Sequence, residues 1–181
     1  METPDRSALY KIAAGQEGYF TTGQAGSVGY SRPLLDHHVK AGRFTRARRG
    51  VYRIVEFPAG EHEDLVVSWL WSDRAGVFSH DTALALHDLS DALPAHLHLT
   101  LPASWRRRRL RIPRDIRVHF ADVPAEERGW SGAVPVTTPR RTLHDCAAEH
   151  LPPDILAQAV RDGIARGLFA RADMSDFGVD G

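Results

Sequence analysis

Residues 31–55 read SRPLLDHHVKAGRFTRARRGVYRIV and predict a capped helix followed by a β-hairpin. Ser31 is a favourable N-cap, and Pro33 falls in the first helical turn, where its missing N–H costs no hydrogen bond. Gly42 is expected to end the helix, because glycine readily adopts the left-handed conformation that follows a helix C-terminus. The β-rich runs on either side of Gly50 then predict two paired strands joined by a tight turn.

Two shorter helical segments precede this stretch. Ser7 is expected to cap the first of them, whose apolar face carries Leu9 and Ile12. Residues 18–20 are typical of a short strand, and residues 22–28 of a second helix. The order helix, strand, helix, turn, capped helix and hairpin is that of a winged helix-turn-helix.

The helix and hairpin are basic although the chain as a whole is neutral. Between Tyr30 and Arg53 seven Lys and Arg residues face one Asp, whereas the full chain of 181 residues has 23 Lys+Arg and 23 Asp+Glu. A guanidinium group binds phosphate well because its planar fork donates two hydrogen bonds at once. The major groove of DNA, about 12 Å wide, admits one helix with a polar outer face. A basic hairpin can lie along the backbone or enter the minor groove beside it.

The candidate DNA contacts are the polar residues on the outer face of the helix and at the hairpin tip. They are Ser31, Arg32, Asp36, His37 and Lys40 of the helix and Arg46, Arg48 and Arg49 of the wing. Arg43 and Arg53 flank the hairpin and are expected to contact phosphate without reading the base sequence. The other interpretation is a small helical module that binds protein, since winged helices also serve that purpose.

The composition is that of an ordinary globular protein, with 43% hydrophobic and 25% charged residues. The single cysteine, Cys146, has no partner for an intramolecular disulfide, which fits a reducing compartment. The longest apolar run, Leu65–Trp71, is far shorter than the roughly 20 residues that a membrane span requires. We therefore expect a soluble cytoplasmic protein with no membrane partner.

The second half of the chain predicts a mixed domain. Apolar and polar residues alternate strictly in Leu97–Leu101 and in Ile116–Phe120, which predicts two strands. We expect them to pair as an antiparallel ribbon with a long basic connection. The expected fold class is α+β: a winged helix-turn-helix domain in residues 1–57, followed in residues 62–181 by a mixed α/β domain with a small antiparallel sheet flanked by helices.

A run of arginines lies within that connection. Its members are Arg106, Arg107, Arg108 and Arg109. Adjacent like charges repel one another and require either water or anions around them. Two interpretations stay open, a solvated loop and a second surface for DNA, RNA or an acidic face of a protein partner.

Ten histidines raise the question of an enzyme or a metal site. His80 and His87 lie two turns apart on one predicted helix, about 10 Å, which is too far for both to bind one ion. No Cys-x-x-Cys pair, His-x-x-x-His pair, phosphate-binding glycine loop or Gly-x-Ser-x-Gly turn is present. We therefore expect no catalytic residue, no metal site and no cofactor, and we interpret the histidines and Cys146 as structural.

Several motifs, in order along residues 7–174, resemble those of the AbiEi-type antitoxins. The N-terminal ones are GYF at 18–20, SRPLLDHHV at 31–39 and RRGVYR at 48–53; the C-terminal ones are SHDTALALH at 79–87, LHLTLP at 97–102 and VTTPRRTL at 136–143.

The resemblance implies a bacterial antitoxin of a type IV toxin–antitoxin pair whose toxin is similar to nucleotidyltransferases. Its winged helix-turn-helix would repress its own operon, and its C-terminal domain would counteract the toxin. Some relatives continue into a nuclease-like domain, which we expect to be absent from a chain ending at 181. Two-fold operators match two-fold proteins, so a homodimer on inverted repeats upstream of the operon is expected. The alternatives are an inhibitor that contacts the toxin directly with little DNA binding, and a stand-alone winged-helix transcriptional regulator.

Overall fold

The structure is a computed structural model that describes residues 3–90, 94–149, 151–171 and 176–177. Its contacts divide the chain into two compact units, Met1–Ala75 with Gly132–Val134, and Gly76–Ser131 with Pro135–Gly181. Within the described ranges no helix combines the length and the apolar character needed to cross a membrane.

The first unit has the predicted order of elements. Its helices are α1 (Arg6–Ala14), α2 (Thr22–Ser27), α3 (Arg32–Lys40) and α4 (Glu63–Trp71), and its strands are β1 (Tyr19–Thr21), β2 (Phe44–Arg48) and β3 (Val51–Ile54). The strands form an antiparallel sheet in the order β1-β3-β2. Together α1, α2, α3 and the β2–β3 hairpin form a winged helix-turn-helix.

Side-chain caps explain where the first two helices begin. Asp5 caps α1 by accepting a hydrogen bond from the Ala8 N–H at 2.8 Å, so the predicted cap at Ser7 is wrong by two residues. Thr21 and Gln24 form a capping box at α2, with reciprocal bonds of 3.1 and 2.9 Å. This box offsets the low helix propensity of the two glycines in α2.

The core of the first unit lies between the helices and the sheet. Leu9, Phe20 and Leu35 are almost completely buried there. Phe20 packs edge-on against Phe44, with ring centroids 5.1 Å apart, and stacks on Tyr52 at 5.9 Å. The aromatic contacts fix α3 and the hairpin to the same core.

Helix α4 belongs to the first unit. Leu65, Val66 and Trp69 are buried, and the helix contacts all three strands of the first sheet. The first compact unit therefore extends through Ala75, whereas the boundary predicted from sequence lies between residues 57 and 62. The linker composition marked a break in secondary structure, and the apolar face of α4 then packs back onto the preceding sheet.

The second unit contains a five-stranded mixed sheet. Its strands, in the order β6-β5-β4-β8-β7, are β4 (Val77–Phe78), β5 (Leu97–Leu101), β6 (Ile116–Phe120), β7 (Arg128–Ser131) and β8 (Val134–Thr137). Its helices are α5 (His80–Leu86), α6 (Pro139–Ala148) and α7 (Pro153–Ala165), with short 3₁₀ turns at Ala103–Arg107 and Ala125–Glu127. Leu84, Leu143 and Val160 form a core between the three helices. The α+β fold class is thus confirmed.

The pairing of β5 with β6 corrects one prediction. The two strands are parallel, with Thr100 opposite His119, and not the antiparallel ribbon that we expected. Parallel neighbours need a crossover connection of a dozen or more residues, and the segment 102–115 is long enough to provide it. Alternation of apolar and polar residues identifies a strand but carries no information about its direction, and the prediction had no other basis.

Candidate nucleic-acid interface and a histidine cluster

The N-cap of α3 and its buried face determine which of its side chains are exposed. Ser31 caps the helix by accepting a hydrogen bond from the Leu34 N–H at 3.4 Å, which leaves its own O–H able to donate to another group. Leu35 is fully buried in the core. The predicted contact residues of this helix are all exposed; they are Ser31, Arg32, Asp36, His37 and Lys40.

The wing is shaped by a bulge and by one aromatic contact. Ala47 lies in a β-bulge between the paired residues Arg46 and Arg48. The Arg46 guanidinium lies over the buried Tyr52 ring, 5.6 Å from its centroid, and its Nη2 is 3.4 Å from the phenolic oxygen. Gly50 has a φ of 80° in the turn, a conformation that favours glycine. The exposed Arg46 is thereby held on the side of the wing that carries the Tyr52 hydroxyl.

Helix α3 and the wing meet at one surface cleft of about 230 Å³. Its charged lining consists of Arg32 and Asp36 from α3 with Arg46 and Arg49 from the wing, next to Tyr52. Within the part of the chain that the structure describes, none of these three arginines is within 4.0 Å of a carboxylate oxygen. We call this surface the helix–wing cleft. Its three guanidinium groups outnumber its one carboxylate, so it has an excess of positive charge that suits phosphate.

The other predicted contacts lie outside this cleft. His37 and Lys40 are exposed farther along α3, and the His37 ring contacts the His38 ring at 5.7 Å. Arg48 is half-buried on the wing. The structure thus brings four of the eight predicted DNA contacts together in the cleft, and leaves Ser31, His37, Lys40 and Arg48 outside it.

Arg53 has a structural role, and the expectation that it contacts phosphate is wrong. Its Nη2 pairs with Glu63 at 3.1 Å and donates to the carbonyls of Phe57 and Pro58 at 2.8 and 3.1 Å. The guanidinium also lies 5.6 Å from the centroid of the Tyr19 ring. With 18% of its side chain exposed, Arg53 connects the sheet to the segment that leads into α4.

Two side chains near the arginines that flank the hairpin have shifted pKa values, Tyr19 near Arg53 and His38 near Arg43. Burial, followed by the charge of Glu63, raises the pKa of Tyr19 to about 12, so the phenol is neutral at physiological pH. Arg43, by contrast, is exposed at the start of β2. Burial, followed by the charge of Arg43, lowers the pKa of His38 and keeps that imidazole neutral.

The second basic segment, Arg106 to Arg109, divides into two kinds of side chain. Arg106 donates to the carbonyl of Phe120 at 3.1 Å, and Arg108 lies over Trp105 at 4.1 Å from the ring centroid. Arg107 and Arg109 are exposed. Arg106 and Arg107 end the 3₁₀ turn on the β5–β6 crossover, and Arg108 and Arg109 follow it. All four residues are exposed, and two of them also contact the protein surface.

A cluster of three histidines, which the sequence analysis did not find, lies in the second unit. His80 begins α5, while His98 and His119 lie on the neighbouring strands β5 and β6. The His80 and His119 rings stack at 3.7 Å between centroids, and His98 Nδ1 is 3.1 Å from His119 Nε2. One nitrogen from each ring lies within 4.8 Å of the other two.

Burial disfavours the protonated form of all three imidazoles. Burial, followed by the charges that His119 and His98 would carry, lowers the pKa of His80 to about 3. Burial likewise lowers the pKa of His98 and of His119. His80 also has a φ of 50°, which is uncommon for a residue other than glycine and costs energy that the surrounding structure must supply.

Two neighbouring groups of nucleophilic type, Ser79 and Cys146, are buried. The Ser79 hydroxyl is completely buried and is bonded to Thr100 Oγ1 at 2.7 Å and to His80 Nδ1 at 2.8 Å. Cys146 lies in the buried core of the second unit, as its sequence context predicted, and this burial raises the pKa of its thiol.

Comparison with known proteins relates the N-terminal part of the chain to a regulatory family. Residues 7–55 match the model of a family described as "Transcriptional regulator, AbiEi antitoxin". This match covers the elements from α1 to the end of the hairpin, and includes the helix–wing cleft.

Among solved structures, the RV2827C protein from Mycobacterium tuberculosis is similar, with a TM-score of 0.53 and 16% sequence identity. The similarity covers 87% of this chain and 65% of that one, and at this identity it concerns the fold alone. No curated protein matches the chain.

Proposed function

We propose that the chain is a DNA-binding transcriptional regulator that serves as antitoxin and autorepressor of a bacterial toxin–antitoxin operon. Its winged helix-turn-helix would bind operator DNA, and the protein would counteract a nucleotidyltransferase-like toxin in the cytoplasm. The match of residues 7–55 to a family of antitoxin regulators supports the regulatory part of this proposal. The toxin and the autoregulation follow from the resemblance of the motifs in both halves of the chain.

The observation that carries the proposal is the helix–wing cleft. Arg32 comes from the helix and Arg46 and Arg49 come from the wing, yet the three line one cleft. A duplex whose major groove received α3 would bring its phosphates against the two wing arginines. Arg32, in the first turn of α3, would reach a base edge, where arginine recognises guanine through two hydrogen bonds.

The exposed polar residues outside the cleft would complete the interface. His37 and Lys40 would follow the groove along α3, Ser31 would contact a phosphate at the helix start, and Arg48 would support the wing. Arg107 and Arg109 would provide a second contact for DNA or for an acidic face of the toxin. Binding as a homodimer to inverted repeats would bring two copies of α3 to successive turns of the duplex.

An electrophoretic mobility-shift titration tests the DNA-binding part. The full chain is titrated onto the DNA directly upstream of its own gene and onto a scrambled fragment of equal length, at several salt concentrations. We expect a preference for the upstream DNA and an affinity that falls steeply with salt, because each neutralised phosphate releases counterions. Equal, weak binding to both fragments would contradict the proposal.

Co-expression with the neighbouring reading frame tests the antitoxin part. If that frame encodes the toxin, its expression alone should arrest growth, and the full chain should restore growth. Rescue and co-purification without operator binding would favour the inhibitor that contacts the toxin directly. Operator binding without any rescue would favour a stand-alone regulator.

A further inference from the structure

We propose that His80, His98 and His119 form a binding site for one divalent late transition-metal ion, with Zn²⁺ the best match. The site lies in the second unit and does not depend on the proposed DNA-binding function. Each histidine comes from a different element, α5, β5 or β6, so one ion would connect all three.

The distances between the rings fit a shared ion. Two nitrogen ligands placed 2.0–2.1 Å from a tetrahedral zinc ion are roughly 3.4 Å apart. His98 Nδ1 and His119 Nε2 are 3.1 Å apart, and the third ring contributes a nitrogen within 4.8 Å of both. Since Nδ1 of His80 is bonded to Ser79, the available atom of that ring is Nε2.

The outward-facing nitrogens of His80 and His119 each lie within hydrogen-bond distance of an oxygen, and that of His98 has a carboxylate nearby. His119 Nδ1 is 2.9 Å from Glu149, His80 Nδ1 is 2.8 Å from the Ser79 hydroxyl, and His98 Nε2 is 3.9 Å from Asp81. Metal-binding histidines almost always donate their second N–H to a carboxylate, a carbonyl or water, which fixes the tautomer and raises the basicity of the ligand nitrogen. The inward nitrogens of His98 and His119 face each other. The His80 ring stacks on that of His119, and a small rotation of its side chain would turn Nε2 towards the same ion.

The donor set selects the class of metal. Neutral imidazole nitrogens suit Zn²⁺ and its neighbours in the first row, whereas Mg²⁺ and Ca²⁺ prefer oxygen ligands. Glu149 Oε1 is the partner of His119 Nδ1, so a water molecule would take the fourth position. A cleft of about 170 Å³, lined by His80, His98, Arg117 and Glu149 among others, gives an ion access from solvent.

Titration of untagged, chelator-treated full-length protein with Co²⁺ tests the site, since tetrahedral Co²⁺ gives visible absorption bands that Zn²⁺ then abolishes by displacement. We expect one equivalent to bind and Zn²⁺ to raise the melting temperature, because an ion that binds only the folded state stabilises it. His98→Asn and His119→Asn should abolish the bands. His96→Asn, which changes an exposed histidine outside the cluster, should leave them unchanged.

A second variant, Glu149→Gln, keeps the site testable if the histidine variants misfold. Glu149 is partly exposed, so Glu149→Gln should fold normally, which circular dichroism of the metal-free protein checks. Loss of this partner should weaken Co²⁺ binding about 10–100-fold. Absence of Co²⁺ bands in the wild-type protein, or unchanged affinity in folded Glu149→Gln, would overturn the proposal and leave a histidine cluster held by hydrogen bonds alone.

Discussion

Arg46 and Tyr52 occupy opposite positions on the two strands of the wing, and the guanidinium of the first lies over the buried ring of the second. The 3.4 Å approach of Arg46 Nη2 to the Tyr52 hydroxyl orients the arginine towards the helix–wing cleft. Tyr52 meanwhile stacks on Phe20 in the core. The position of a candidate phosphate contact is therefore set by a core aromatic residue.

Tyr52→Phe should weaken operator binding without unfolding the protein. The ring and its packing stay, and only the hydroxyl that orients Arg46 is lost. A hydrogen bond of this type contributes roughly 0.5–1.5 kcal/mol, so the dissociation constant should rise by about 2–12-fold. Fluorescence anisotropy with labelled operator DNA measures the affinity, and thermal unfolding provides the control. An unchanged affinity would mean that Tyr52 does not position Arg46.

Arg49→Ala should lower the salt dependence of DNA binding. Arg49 is exposed at the wing turn and lines the cleft, which suits a phosphate contact. Removing one such contact should reduce the slope of log K against log salt by about one unit, with a similar loss of affinity on all sequences. Arg161→Ala is the matched control, because it removes an exposed arginine from α7 of the other unit. The same slope in both variants would remove Arg49 from the interface.

Arg32→Ala should reduce sequence preference as well as affinity. An arginine that binds a base edge in the major groove contributes about 1–3 kcal/mol of discrimination. Competition between operator DNA and single-base variants of it should therefore show one position at which preference is lost. If affinity falls equally on every sequence, Arg32 contacts phosphate and the specific contact lies elsewhere on α3.

The winged helix-turn-helix was predictable because its signals are local. Ser31 as N-cap, Pro33 in the first turn and the turn glycine Gly50 each act within a few residues of the chain. Binary patterning then fixed which face of α3 is buried, as the complete burial of Leu35 illustrates. The helix start, the hairpin turn and the exposed face of α3 followed from these residues alone.

The histidine cluster was not predictable because its three members are far apart in the sequence. His80, His98 and His119 are separated by about 20 residues each, and the parallel pairing of β5 with β6 brings the last two together. The spacing of metal ligands on one helix relates His80 only to His87 and carries no information about residues on other elements. The distinguishing signal was the length of the segment 102–115, which permits a crossover between parallel neighbours.

Arg53→Ala should destabilise the first unit and leave DNA recognition unchanged. The substitution removes a half-buried ion pair with Glu63 and two hydrogen bonds to carbonyl groups. We expect a loss of about 1–3 kcal/mol in the free energy of unfolding, because polar partners are left behind in a partly buried position. Urea denaturation measures this loss. The salt slope of DNA binding should equal that of the wild-type protein, in contrast to Arg49→Ala.

A change of pH tests a different buried contact, the hydrogen bond that His87 Nε2 donates to the carbonyl of Thr137 at 2.7 Å. Burial lowers the pKa of His87, an effect that its hydrogen bond to Thr137 opposes and the charge of Arg166 assists. Because the folded state holds this imidazole neutral, the unfolded state binds more protons as the pH falls below about 6.5. The contribution of His87 to stability is therefore fully present above that pH and is lost progressively below it.

His87→Gln keeps an N–H donor for Thr137 but does not titrate. Between about pH 7.5 and about pH 5.5, the wild-type protein should lose more of its free energy of unfolding than the variant does. The remaining titratable groups act equally in both proteins, so the difference between the two isolates His87. His96→Gln, at an exposed position, should follow the wild-type protein. Identical pH profiles for wild type and His87→Gln, measured by urea denaturation, would show that protonation of His87 does not oppose folding.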